Sequence, residues 1–88
     1  MKEEKLEKKV VEVINNELKE FKRQINTNSN GKWRELELNA DLGLDSLKVV
    51  EIFMECENIF NVSFDDEEIM KSKTVGDLIN KIIEKTSI

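Results

Sequence analysis

The chain has 88 residues, of which 39% are hydrophobic and 38% are charged, and its formal net charge is −5 at pH 7. A chain of this length folds as one small domain that buries only about 60% of the surface exposed by its unfolded state, which leaves no room for a deep catalytic cleft. Its apolar content excludes a wholly disordered protein, and the lack of a long apolar run excludes a membrane span.

An amphipathic helix is predicted over residues 3–25. Apolar residues recur there at spacings of three and four, which places them on one face. They are Leu6, Val10, Val13, Ile14, Leu18, Phe21 and Ile25. The polar stretch NTNSNG at residues 26–31 ends the helix, because asparagine and glycine accept a positive φ. The first residues, MKEEKLEKK, include no apolar stretch that could serve as a secretory signal, so we expect a cytoplasmic protein.

A long loop, at about residues 26–43, is predicted between the first and second helices. The segment WRELEL, residues 33–38, alternates apolar and charged residues as a half-buried strand does. No second strand is predicted to pair with it, so we expect a loop held against the core by its large apolar residues. These are Trp33, Leu36, Leu38 and Leu42.

Three further helices are predicted in the second half of the chain. One covers residues 46–60 with Asp45 or Ser46 at its N-cap, and residues 65–70 form a short acidic helix. Thr74 and Asp77 have capping-box spacing and begin the last helix, TVGDLINKIIEK. Its apolar face consists of Val75, Leu78, Ile79, Ile82 and Ile83. The sequence therefore predicts an all-α fold, a small four-helix bundle of three main helices and a short third helix, in a single domain of residues 1–88.

The second helix carries two apolar faces. At about 100° per residue, one of them forms a stripe toward the core. This stripe consists of Val49, Ile52, Phe53, Cys56 and Phe60. The second group lies nearly opposite and consists of Leu47, Val50 and Met54, with Ser46, Glu51 and Glu57 around it. An apolar centre with a polar rim is typical of a protein-binding surface, although the loop of residues 26–43 could instead cover it.

The acidic charge is concentrated in one segment, which by itself favours a solvated face and leaves a basic protein partner as the alternative. Residues 41–68 contain nine acidic residues and one lysine, Lys48, so this segment carries a net charge of −8 and the rest of the chain +3. Such a segment repels nucleic-acid phosphates and anionic lipids and attracts a basic protein surface, unless it serves only as a solvated face. Lys48 is expected to point away from the second apolar group, beside Glu51 and Glu55.

The residue types exclude a disulfide scaffold and a zinc scaffold. Cys56 is the single cysteine, so it cannot form an internal disulfide, and without any histidine it cannot build a zinc site. Its position in the core stripe predicts a small buried hydrophobic residue. A calcium loop starting at Asp41 fails, because Ser46 replaces the sharp-turn glycine and Ile52 replaces the bidentate glutamate.

Residues 41–60, DLGLDSLKVVEIFMECENIF, resemble the modification site of acyl carrier proteins, in which an Asp-Ser-Leu triplet after a Leu-Gly turn opens the recognition helix. Residues 65–82, DDEEIMKSKTVGDLINKI, are similar to the acidic third helix of that family and to the Thr-Val start of its last helix. The motif is carried by Leu42, Gly43, Asp45, Ser46, Leu47, Val50 and Glu51. Lys48, Met70 and Ser72 depart from the family pattern, which leaves the partner contacts at these positions open.

The resemblance implies that Ser46 carries a 4′-phosphopantetheine arm, moved from coenzyme A by a separate phosphopantetheinyl transferase (holo-acyl-carrier-protein synthase). The thiol of the arm then holds acyl intermediates as thioesters for partner enzymes of fatty-acid, polyketide or related biosynthesis that have basic docking surfaces. The partner-binding residues implied are Asp45, Leu47, Val50, Glu51, Met54 and Glu57. Without a histidine to activate Ser46, the chain is expected to be a carrier and not an enzyme. We also expect it to be a monomer.

Two alternatives remain open at this stage. An aminoacyl or peptidyl carrier, of the nonribosomal or D-alanyl type, would share the motif, and the sequence does not identify the carried group. A helical adaptor protein would have the same bundle with an unmodified Ser46. If the bundle shelters an acyl chain, its lining would come from the apolar faces of the first, second and last helices.

Overall fold

The helices of the computed structural model pack around one apolar core. The structure describes residues 2–27 and 30–86, and in these ranges the helices are α1 (Lys2–Leu18), α2 (Ser46–Phe60), α3 (Asp66–Lys71) and α4 (Val75–Thr86). Short 3₁₀ turns cover Lys19–Phe21 and Lys32–Glu35. The prediction of an all-α four-helix bundle with a short third helix is confirmed, and the assignment of residues 1–88 to a single domain stays a prediction. No helix within the described ranges has both the length and the apolar character needed to cross a membrane.

The first helix is shorter than the sequence predicts. The predicted boundary at residue 25 is wrong, because α1 ends at Leu18 and the 3₁₀ turn that follows it ends at a left-handed Lys22 with φ 56° and ψ 40°. The backbone N–H groups of Lys22 and Arg23 donate to the carbonyl oxygens of Lys19 and Leu18 at 2.9 and 3.2 Å, which closes the helix end. The chain therefore turns back before the polar stretch at 26–31, of which residues 28 and 29 lie outside the described residues.

The two apolar residues predicted beyond Leu18 differ in burial. Ile25 is buried in the core, because the side-chain oxygen of Asn15 accepts its N–H at 2.8 Å and draws the returning chain against α1. Phe21 is 49% exposed, so its predicted place on the core face is wrong. Helical periodicity cannot distinguish a residue that continues a helix from one that a turn brings back to the same core.

The loop before α2 is attached to the start of α4. Leu38 donates its N–H to the carbonyl oxygen of Lys73 at 2.9 Å, and Val75 donates to that of Leu36 at 3.0 Å, on either side of an antiparallel bridge between Glu37 and Thr74. The segment is therefore a loop, as predicted, and this single bridge, which the sequence does not reveal, attaches it to the start of α4. The burial of its apolar residues is as predicted for Trp33, Leu38 and Leu42, whereas Leu36 is half-buried.

The core stripe of α2 is placed as the angular count predicts. Val49, Ile52, Phe53 and Cys56 are buried, and Phe60 packs against them half-buried. Burial raises the pKa of the Cys56 thiol to about 12, so this group stays protonated in the neutral range. The prediction that Cys56 is a small buried hydrophobic residue is confirmed.

Reciprocal hydrogen bonds fix the starts of α3 and α4. The carboxylate of Asp65 accepts the N–H of Glu68 at 2.8 Å, and the carboxylate of Glu68 accepts the N–H of Asp65 at 3.0 Å. Thr74 and Asp77 make the corresponding pair at 3.0 and 3.1 Å, which confirms the predicted capping box. The Asp65 N–H, and then the ammonium of Lys85 at 2.9 Å, hold the pKa of Glu68 below its ordinary value.

Candidate functional site

Ser46 is the first residue of α2, and its side chain is exposed. The N-cap is Asp45, whose carboxylate accepts the N–H of Lys48 at 2.9 Å, so Asp45 is the correct one of the two predicted caps. The hydroxyl of Ser46 makes no hydrogen bond to the residues that the structure describes. A serine released from capping at the positive end of a helix dipole is open to a partner and suited to carry an anionic group.

A tight turn sets the position of Ser46. Gly43 has φ 73°, a left-handed conformation that strains any residue with a Cβ atom, and its N–H donates to the carbonyl oxygen of Asn39 at 3.0 Å. The side-chain amide of Asn39 donates to the carbonyl oxygen of Leu44 at 2.6 Å. Leu42 and Leu44 are buried on either side of the glycine. The backbone before Ser46 is therefore anchored on both sides of the turn.

Arg23, which follows the 3₁₀ turn after α1, supports the turn at Gly43. Its guanidinium donates to the carbonyl oxygens of Leu42 and Asp41 at 3.1 and 3.0 Å. A Cβ atom at Gly43 would lie 3.4 Å from the same guanidinium. The sequence analysis missed Arg23. No local pattern could have revealed it, because Arg23 is separated from Asp41 by 18 positions and from Leu42 by 19.

The second apolar group of α2 lies on the outside of the protein. Leu47 is 68% exposed, Met54 55% and Val50 36%. The alternative in which the loop of residues 26–43 covers this face is therefore wrong. We call these three residues the exposed face of α2. Glu51 is also exposed, one residue beyond Val50.

Glu57 has a structural contact that the sequence does not reveal. One oxygen of its half-buried carboxylate accepts the backbone N–H of Phe64 at 2.7 Å, beyond the left-handed Asn61 that ends α2. Glu57 therefore holds the segment between α2 and α3, and only its other oxygen is left for a partner.

Lys48 points away from the exposed face of α2, as predicted, and its ion pairs reach another segment of the chain. Its ammonium lies 3.3 Å from a carboxylate oxygen of Glu17 and 3.2 Å from one of Glu20, and among the described residues it makes no ion pair with Glu51 or Glu55. The hydrogen bond to Glu20, followed by the one to Glu17, raises the pKa of Lys48 above its ordinary value. Lys48 therefore connects the first turn of α2 to the end of α1 and to the 3₁₀ turn that follows it.

Lys48→Gln is expected to lower the thermal unfolding midpoint slightly, with a difference that shrinks in high salt, because partly solvated ion pairs are weak and screened. The measurement is thermal unfolding at low and high salt, with Lys32→Gln as the control. Lys32 is exposed and has no ion pair among the described residues. Equal midpoints for the two variants at low salt would show that the ion pairs of Lys48 do not stabilise the fold.

A groove of about 330 Å³ opens beside Ser46, between the first turn of α2, the end of α3 and residues 37–39. Its apolar lining comes from Val49, Val50, Ile69 and Met70, and its polar lining from Glu37, Asn39, Ser46, Ser72 and Lys73. The hydroxyl of Ser72 donates to the carbonyl oxygen of Glu68 at 2.9 Å, so this buried polar group is satisfied. Met70 is 78% exposed and extends the apolar surface next to the exposed face of α2.

Comparison with known proteins gives consistent matches. The family described as "Phosphopantetheine attachment site" matches residues 35–82. A protein named "Acyl carrier protein" from Porphyromonas gingivalis is 38% identical over 77 residues, covering 88% of this chain and 90% of the relative. Proteins of the same name from Rickettsia bellii and Wolinella succinogenes are 37% and 44% identical, over 93% and 67% of this chain and 100% and 78% of the relatives.

Proposed function

We propose the function of this protein from one premise: the chain belongs to the phosphopantetheine attachment site family. Its cofactor is 4′-phosphopantetheine, and it is an acyl carrier protein, a carrier and not an enzyme. We assign the attachment to the hydroxyl of Ser46. The observation that carries this assignment is the exposed hydroxyl at the start of α2, unbonded within the described residues and inside the matched segment.

The residues around Ser46 fit a covalently attached phosphate. A phosphodiester on this side chain would lie at the N-terminal end of α2, where the helix dipole and exposed N–H groups favour an anion. The groove beside Ser46 leaves space next to the attachment atom. When bound, the arm supplies a terminal thiol that holds an acyl group as a thioester.

The chain does not activate its own serine. It contains no histidine, so a neighbouring imidazole cannot take the proton of the Ser46 hydroxyl. We propose that the transferase supplies the base. Asp45 uses one carboxylate oxygen as the N-cap, and we propose that its other oxygen helps to engage the transferase and its magnesium. The cap and the partner contact use different atoms, so both roles are compatible.

We propose that partner enzymes dock on the exposed face of α2. Leu47, Val50 and Met54 supply exposed apolar area next to Ser46, and Glu51 and Glu57 supply acidic groups at the rim. The net charge of −8 over residues 41–68 attracts basic surfaces. The partners are then the phosphopantetheinyl transferase and the acyl-transferring or condensing enzymes of fatty-acid, polyketide or related biosynthesis.

We further propose that the protein acts as a monomer in the cytoplasm. The free thiol of Cys56 agrees with a reducing compartment. The acidic surface favours association with basic partners over self-association, because like charges repel.

Intact-mass measurement tests the attachment. The wild-type protein is incubated with coenzyme A, magnesium and a broad-specificity phosphopantetheinyl transferase. We expect the mass of one phosphopantetheinyl group to be added, and fragmentation to place it on the peptide that contains Ser46. An unchanged mass under conditions that modify another carrier protein would overturn the proposal.

Glu51→Lys is expected to slow modification by roughly tenfold at low salt while leaving the fold intact, because rim charges steer association more than they stabilise a domain. The control is Glu55→Lys, which changes the charge equally at an exposed position predicted to lie off the exposed face of α2. The measurement is the initial modification rate at several salt concentrations. Equal rates for the two variants would count against docking of the transferase on the exposed face of α2. Glu57→Lys is less suitable, since it also removes the bond to Phe64.

A further inference from the structure

We propose that the ammonium group of Lys73 pairs with the phosphodiester that joins the arm to Ser46. This inference rests on the proposed function, because it requires a phosphate on the Ser46 oxygen. Its structural basis is the groove beside the attachment atom, which is lined by both Ser46 and Lys73 although the two residues lie on different segments of the chain. Lys73 stands two residues before Val75, the first residue of α4.

The other cations around the site already have partners. The ammonium of Lys48 lies 3.3 and 3.2 Å from the carboxylates of Glu17 and Glu20, on the side of α2 that faces the end of α1. The guanidinium of Arg23 donates to two backbone carbonyl oxygens. Lys71 pairs with Glu67 at 2.8 Å. Lys73, by contrast, has an exposed side chain whose ammonium makes no ion pair or hydrogen bond with the residues that the structure describes.

The backbone holds Lys73 at the groove. Its N–H donates to a carboxylate oxygen of Asp77 at 3.0 Å, and its carbonyl oxygen accepts the N–H of Leu38 at 2.9 Å. The point from which the side chain extends is therefore fixed beside the groove, and only the rotamers of the flexible stem are free. A long side chain with a compact charge can follow a phosphate that changes its orientation, and charge-assisted bonds to phosphate are among the stronger hydrogen bonds.

The local charge gives this pairing a role. A phosphodiester adds a negative charge to a site that already has Asp45 beside the serine and Glu37 on the groove wall. Without a cation, these carboxylates would repel the new charge, and the repulsion would lower the stability of the modified protein. Lys73 opposes this repulsion from across the groove, so it should affect the modified protein and leave the unmodified one almost unchanged.

Phosphorus NMR tests the pairing directly. The modified forms of wild type, Lys73→Gln, Lys73→Arg and Lys71→Gln are compared at low and high salt, and thermal unfolding is measured for each modified and unmodified form. Lys71→Gln is the matched control, since it removes an exposed lysine two residues away that does not line the groove. We expect the wild-type phosphorus shift to depend on salt, this dependence to be lost in Lys73→Gln, and Lys73→Arg and Lys71→Gln to retain it.

The unfolding midpoints give a second readout. The difference between modified and unmodified protein should be less favourable in Lys73→Gln than in the other three proteins. If all four proteins are modified but share the same phosphorus shifts, salt response and midpoint differences, the pairing is overturned and the attachment stands. If the wild type acquires no phosphorus signal at all, the proposed function fails and the pairing fails with it.

Discussion

Ser46→Ala is expected to abolish the mass gain completely while changing the free energy of unfolding by no more than about 0.5 kcal/mol. The gain is lost because the variant has no hydroxyl at the start of α2. Stability is retained because Asp45, and not Ser46, is the N-cap, and because alanine is a better helix former than serine. Intact-mass measurement and chemical denaturation of the same preparation check both parts.

Ser63→Ala is the control for this substitution. Ser63 is an exposed serine on the segment between α2 and α3, outside any helix. We expect this variant to gain the same mass as the wild type. An undiminished gain on Ser46→Ala would place the arm on another residue, and a large loss of stability would show that Ser46, against the observed hydrogen bonds, supports the helix end.

Features confined to one helix could be predicted from the sequence. The regular rotation of α2 separates Val49 and Phe53, which are buried, from Leu47 and Met54, which are exposed, and this separation needs no knowledge of the other helices. The capping box of Thr74 and Asp77 is equally local, because both partners lie within one turn. Periodicity and spacing carry this information because the helix geometry is nearly constant.

Features that join distant segments could not be predicted. Lys48 pairs with Glu17 and Glu20 only because α2 packs beside the end of α1, so an angular count along α2 alone could not reveal these partners. The bridge between Glu37 and Thr74 joins single residues, too few to produce an alternating pattern in both segments. Each of these contacts is set by how the helices pack, which the order of apolar residues leaves open.

The divided surface of α2 would allow a small domain both to fold and to present the serine to which we propose the arm is attached. One side of the helix contributes to the core, and the other side is exposed from its first turn to Met54. Capping by Asp45 supports the helix end without using the serine hydroxyl. Substitutions on the two sides should therefore separate stability from modification.

Phe53→Ala is expected to lower the free energy of unfolding by about 3 to 5 kcal/mol, the usual effect of emptying an aromatic core site. Phe53 is 0% exposed, and its ring meets that of Phe64 edge to face at a centroid distance of 5.1 Å. The substitution removes this contact and leaves a cavity among the helices. Chemical denaturation followed by circular dichroism gives the free energy, and a domain of this size can lose most of its stability by this change.

Met54→Ala is the matched control, because it shortens a large apolar side chain at the next position of the same helix. Met54 is 55% exposed, so its truncation creates no cavity and should change the free energy of unfolding by about 0.5 kcal/mol or less. If Met54 lies on the docking face, this variant should be modified more slowly than the wild type although it is almost as stable. A larger loss of stability for Met54→Ala than for Phe53→Ala would mean that the buried and exposed sides of α2 are reversed, and both the core and the docking face would then have to be reassigned.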